Sequence, residues 1–150
     1  MQFVRLPYII RPDGQQMRNP GQLNPESALG RLWGGFIRSQ LVCVVCQSKR
    51  NKFQPMNNIS VEIEGCNSII AALRQFTSPE LVEGRFQCEH CKSLRNMNKQ
   101  LTIQEAPNLL VIHLKRFSAN VAKIPNFVQF DSVLNLTPFM SGYVDVDQPF

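Results

Sequence analysis

The chain has 150 residues, 43% of them apolar and 18% charged, with a formal net charge of +5. That length suits one domain or part of one, burying about two-thirds of its unfolded surface, and that balance argues against wholesale disorder. No run of about 18 apolar residues occurs, so no membrane association is expected, and the opening Met1–Pro12 stretch, broken by Arg and Pro, is not expected to act as a secretory signal.

Residues 1–28 are expected to form an irregular segment, with turn signals at Pro12-Asp13-Gly14 and Asn19-Pro20-Gly21. A short helix is expected from Glu26 to Trp33, with Ala28, Leu29 and Leu32 at helical spacing. Gly34-Gly35 should stop it, since glycine accepts left-handed dihedrals. Phe36 to Val45 reads as a strand running into a first cysteine pair. Ile59 to Glu64 alternates apolar and polar residues as a half-buried strand does. Asn67 or Ser68 can cap a helix on which Ile69, Leu73 and Phe76 share one apolar face. Pro79 and Gly84 bound a short connector into a second cysteine pair, and Lys99 to Gln104 alternates again. Leu109 to Phe117 is apolar on both faces as far as Lys115, which predicts a strand covered on both sides. Val128, Phe130, Val133, Leu134 and Leu136 suggest one or two more strands. The fold class expected is α+β, mainly antiparallel β with one or two short helices.

Four of the five cysteines form two Cys-x-x-Cys pairs, Cys43 with Cys46 and Cys88 with Cys91. Each pair sits where a strand reverses. A Cys-x-x-Cys turn presents two thiolates from one curl of backbone, and two such turns complete a tetrahedral zinc site. These four residues are therefore the expected ligands of a structural Zn²⁺ at a zinc-ribbon tip, with no coordination position left open for water. The 41 residues between the pairs exceed a compact ribbon, so the helix after Ser68 is an insertion. Redox dithiols or a disulfide framework would use the same cysteines. The expected reducing compartment, cytosol or nucleus, and the absence of a flanking βαβ pattern disfavour both. His90 could replace a cysteine as ligand, but its place inside the second turn favours an exposed side chain. Knuckles of this kind often carry a glycine after the second cysteine. Here Gln47 and Lys92 stand in that position. Lys49, Arg50, Arg85, Lys92 and Arg95 would offset the −2 charge of four thiolates on a divalent ion.

Catalytic machinery is not apparent. Cys66 is the one cysteine outside the pairs, and a buried small side chain describes it better than a nucleophile. His113 lies mid-strand, where a hydrogen-bonded structural role is expected. No phosphate-binding glycine loop, Gly-x-Ser-x-Gly turn or His-Glu-x-x-His helix occurs. The acid-free basic stretch at 31–60 raises nucleic acid as a partner, but its charges are too sparse to favour more than a solvated face. A freestanding zinc-ribbon module binding nucleic acid or protein is the competing reading.

Taken in order, several segments resemble the ubiquitin-specific proteases. They are Leu32-Trp33-Gly34-Gly35-Phe36-Ile37-Arg38-Ser39, Cys43-x-x-Cys46, Ser68–Thr77, Cys88-x-x-Cys91, Lys99-Gln100, and Ala106-Pro107-Asn108 through Phe117. The resemblance covers about residues 29–140. It implies part of a papain-like, hand-shaped catalytic domain: fingers over 29–117, with the inserted helix and the zinc ribbon, and a partial palm over 118–150. It also implies ubiquitin or ubiquitinated proteins as partners and a parent activity that hydrolyses ubiquitin isopeptide bonds by a Cys/His/Asp mechanism. The family's cysteine box lies upstream and its histidine box downstream of the matching segments, so no catalytic residue is carried over and the chain alone is expected to be inactive. Self-association through exposed palm strands is expected as well.

Overall fold

The computed structural model describes residues 27–117 and 122–142. The expected opening segment up to 26, the start of the first helix at Glu26, and the residues after 142 lie outside the described residues.

Helix α1 spans Ala28–Trp33; Ser27 caps it by accepting a hydrogen bond from the Gly30 amide at 2.9 Å. The stop at Gly34 has a different cause from the one expected. Gly34 has φ −73°, not a left-handed value. A Cβ there would collide with the Gly30 carbonyl oxygen, and one on Gly35 would come within 2.6 Å of the Glu105 carbonyl oxygen. Space, rather than dihedral freedom, selects both glycines.

Strand β1 (Gly35–Cys43) turns through the first cysteine pair into β2 (Lys49–Met56). Strand β4 (Glu80–Cys88) turns through the second pair into β5 (Ser93–Glu105). The two hairpins join edge to edge through antiparallel β1–β5 pairing, giving the order β2-β1-β5-β4. The pairing carries a bulge at Phe36/Ile37.

Two of these strands differ from the sequence expectation. The reversal at the first cysteine pair implies a returning strand but gives no bounds for it: Lys49 to Pro55 is almost wholly exposed, so it shows no buried alternation, and pairing with β1 alone makes it a strand. β4 replaces the expected connector. Gly84, with φ 53°, is an irregularity within the strand rather than its end, and the Asn96 side chain accepts its amide hydrogen at 2.9 Å.

Strand β3 (Ile59–Glu62) and β6 (Ile112–Lys115) form a separate parallel pair, with Ile59 opposite Ile112 and Glu62 opposite Lys115. The expected long strand over 109–117, covered on both sides, is therefore corrected to four residues with one covered face. Ile112 and Leu114 pack on the core, whereas Val111 and His113 are exposed. Leu109 instead donates its amide to the Leu32 carbonyl at 2.9 Å, tying that apolar run to α1. Among the described residues after Lys123, 124–142, no regular strand forms, in place of the one or two expected there. These residues contribute isolated bridges, such as Ser68 to Gln129, and a 3-10 turn at Thr137–Phe139.

Helix α2 (Ile69–Thr77) takes Ser68 as its cap, accepting from the Ala71 amide at 3.2 Å. Leu73 and Ala72 are fully buried and Ile69 and Phe76 lean on the same cluster. That cluster is the main core, built from Ile59, Val61, Ile63, Ile103, Val128 and Phe139 among others. It sits at one end of the four-stranded sheet. At the other end a much smaller group, Cys43, Cys88 and Met97, is buried on its own.

Candidate metal centre

The two hairpin tips share one design. In each, the amide four residues past the first cysteine donates to that cysteine's carbonyl: Gln47 to Cys43 at 2.9 Å and Lys92 to Cys88 at 2.8 Å. Closing so tight a curl requires a left-handed residue. Gln47 (φ 59°) and Lys92 (φ 56°) supply it and are the non-glycine residues with positive φ among those described. The absence of glycine at these positions does not prevent the knuckle; it makes each turn costlier, by about 1 kcal/mol.

β1–β5 pairing brings the two tips together. Cys46 Sγ lies 3.6 Å from Cys88 Sγ, and Cys43 Sγ lies 4.0 Å from Cys91 Sγ. All four sulfurs fall within 4.8 Å of one another. Thiolates about 2.3 Å from a tetrahedral ion stand about 3.8 Å apart, so the quartet is already close to the required dimensions. Both short distances run between hairpins rather than within them. The four cysteines singled out in the sequence are thus positioned to hold a metal ion, with Cys43 and Cys88 buried and Cys46 and Cys91 half-buried.

The hydrogen bonds around the sulfurs are uneven. The Cys91 amide donates to Cys88 Sγ at 3.4 Å, and Ser48 Oγ lies 3.4 Å from the same sulfur. In that order, these two groups hold the Cys88 thiol down to about 6. Ser48, first through its hydroxyl and then through its backbone, also lowers Cys46. Cys91 is pushed up to about 12, chiefly by the neighbouring Cys46 sulfur and then by burial. Sulfurs this close suppress one another's ionisation, and a bound cation reverses that by lending its charge to all four.

His90 is exposed and stands apart from the quartet. Arg50 reaches across the hairpins to Glu89 at 3.4 Å, although both side chains are too exposed for this pair to hold the tips together. Cys66 is remote from the tip. It is buried in the main core and its thiol donates to Gln75 Oε1 at 3.0 Å. His113 Nδ1 lies 3.2 Å from Ser60 Oγ on the β3–β6 pair, a strand-to-strand contact. Ser48 was not singled out from sequence. The available signal was the repeated Cys-x-x-Cys-x-Ser pattern, Cys43 to Ser48 and Cys88 to Ser93.

Comparison with known proteins gives a consistent picture. The family profile described as ubiquitin carboxyl-terminal hydrolase matches residues 14–148. Ubiquitin carboxyl-terminal hydrolase 23 of Arabidopsis thaliana is 40% identical over 120 residues, which is 77% of this chain and 14% of that protein. The probable ubiquitin carboxyl-terminal hydrolase 16 of Schizosaccharomyces pombe is 37% identical over 120 residues, 77% of this chain and 26% of its own length. Among solved structures, the SAGA Ubp8/Sgf11/Sus1/Sgf73 DUB module bound to ubiquitin aldehyde superposes with a TM-score of 0.71 at 27% identity. That match covers 77% of this chain and 27% of the other.

Proposed function

The chain belongs to the ubiquitin carboxyl-terminal hydrolase family, and on that premise we propose that it is a ubiquitin-engaging segment whose two hairpins are stapled by a structural Zn²⁺. The observation that carries this reading is the convergence of four sulfurs from two hairpin tips far apart in sequence. An all-thiolate tetrahedral set suits zinc, which has no geometric preference of its own and favours sulfur ligands. With four ligands from the protein, no position remains at which water could be activated, so the ion is structural. Cys43, Cys46, Cys88 and Cys91 would hold it, and what it supplies is cohesion of β1–β2 with β4–β5.

Ubiquitin as the ligand is supported by the family and by the matching solved structure, a module bound to ubiquitin aldehyde. The chain spans 14% and 26% of the two relatives described, so hydrolysis of ubiquitin conjugates is proposed for the parent proteins and ubiquitin binding for this chain. Titration of isotope-labelled ubiquitin with the zinc-loaded chain should shift a contiguous set of amide resonances. No shift at a chain concentration of about 1 mM, the weak limit of specific association, would sink the proposal.

A further inference from the structure

Ser48 occupies a place that the metal ligands alone do not explain. Its Oγ lies 3.1 Å from Cys46 Sγ and 3.4 Å from Cys88 Sγ, so one hydroxyl touches a sulfur from each hairpin. It sits beside the edge of the quartet where two sulfurs approach to 3.6 Å. Ser93 holds the same place in the second Cys-x-x-Cys-x-Ser turn, but its hydroxyl donates to the Cys91 carbonyl at 3.3 Å. Two turns alike in sequence and backbone thus give their serines different tasks.

We propose that Ser48 is a positioning residue of the metal centre: without metal its oxygen accepts from the Cys46 thiol, and with metal bound its single hydroxyl proton is shared between the deprotonated sulfurs of Cys46 and Cys88 and helps retain the ion, a role Ser93 does not share. The inference rests on the quartet being a metal site. A metal-bound thiolate has lone pairs and no proton, so in any hydrogen bond between the two groups the serine hydroxyl is the donor. Such a bond draws off part of the charge that four thiolates concentrate on one divalent ion, and it fixes the direction of each sulfur's lone pairs. Bridging one sulfur from each hairpin adds a second effect, because the hydroxyl resists the two tips parting as the ion leaves. The backbone of Ser48 works independently of its side chain: its carbonyl accepts from the Cys43 amide at 3.0 Å. Removing the hydroxyl therefore leaves the turn's own hydrogen bonds in place.

The test is competition for zinc between the 150-residue chain and a chromophoric chelator at fixed pH, alongside Co²⁺ substitution read by the thiolate-to-cobalt charge-transfer band. Ser48→Ala should weaken zinc binding by about 10–100-fold, the usual loss for an outer-sphere partner, and should shift the cobalt band. The near-isosteric pair Ser48→Thr and Ser48→Val isolates the hydroxyl: Thr should restore affinity and band position, and Val should behave as Ala does. Ser93→Ala should stay within about twofold of the parent chain. Ser48→Ala and Ser48→Val binding within about twofold of the parent, with an unmoved cobalt band, would overturn the inference while leaving the metal site standing. An equal loss in Ser93→Ala would overturn it too. A parent chain that takes up neither zinc nor cobalt would instead remove the site itself and this inference with it.

Discussion

The two ends of the four-stranded sheet are built differently, one around a large apolar core and the other around four clustered sulfurs. At the body, Ile59, Val61, Ile63, Ala72, Leu73 and Ile103 are all within 1% of full burial and close on one another around α2 and β3. At the tip, among the described residues, the buried cluster is Cys43, Cys88 and Met97, with Leu41, Cys46 and Cys91 leaning on them. Burying an aliphatic side chain contributes about 1.5–3 kcal/mol, so the body can hold itself together by packing. The tip has too little apolar surface for that, and it also carries two left-handed turns without glycine. A small domain lacking a core commonly relies on a metal or disulfides. Here the body has such an apolar core, whereas the tip has four sulfurs positioned to hold a metal ion.

That contrast can be broken in several ways, the largest effect first. If the proposed Zn²⁺ staples the hairpins, withdrawing it from the zinc-loaded chain, by chelator or by Cys88→Ser, should unfasten the tip. Structural zinc in small domains is worth about 10–16 kcal/mol of apparent binding free energy. Amide exchange at Leu41, Val42 and Met97 should accelerate strongly in chelator while that of Leu73 changes least; uniform protection throughout would refute a tip that depends on metal. Leu73→Ala should do the reverse. It should cost the body about 2–5 kcal/mol in denaturant unfolding and leave zinc affinity unchanged, because the cavity opens far from the sulfurs. If zinc affinity fell in step, the two ends would be one cooperative unit.

Smaller effects sharpen the picture. Gly35→Ala forces a methyl toward the Glu105 carbonyl, the Met56 side chain and Pro107. A loss of about 1–3 kcal/mol is expected, read as a lower unfolding midpoint. A neutral result would show that the β1–β5 junction can shift freely. Gln47→Gly and Lys92→Gly should each stabilise the zinc-loaded tip by up to about 1 kcal/mol, since glycine accepts the left-handed turn without strain. Slower metal release in either variant would register this, and faster release would show that the side chains matter more than the backbone.

Much of the site was legible in the sequence, and less of the sheet. The quartet could be read because metal chemistry demands particular atoms at particular spacing, and Cys43, Cys46, Cys88 and Cys91 meet both demands in the primary structure. Helix α2 could be read because Ile69, Leu73 and Phe76 repeat with the helical period against a single buried face. The extent of β2 escaped because Lys49 to Gln54 lie on an edge strand, where burial imposes no pattern. β4 escaped because Gly84 reads as punctuation when it is in fact a strand irregularity. The run from Leu109 to Val111 looked like the start of a buried strand, but its apolar residues pack irregularly and the parallel pairing to β3 begins only at Ile112.

The sequence by itself determined which atoms could bind a metal, which helix would form, and the family to which the chain belongs. Only the tertiary structure decided that the close sulfur pairs run between hairpins, that β3 and β6 lie parallel, and that Ser48 rather than Ser93 faces the sulfurs. The division has a physical cause. Side-chain chemistry is written residue by residue, whereas strand pairing is made by backbone amides and carbonyls that are the same at nearly every position. The choice of neighbour is therefore settled by the packing of the whole sheet, and the orientation of one hydroxyl is settled after that.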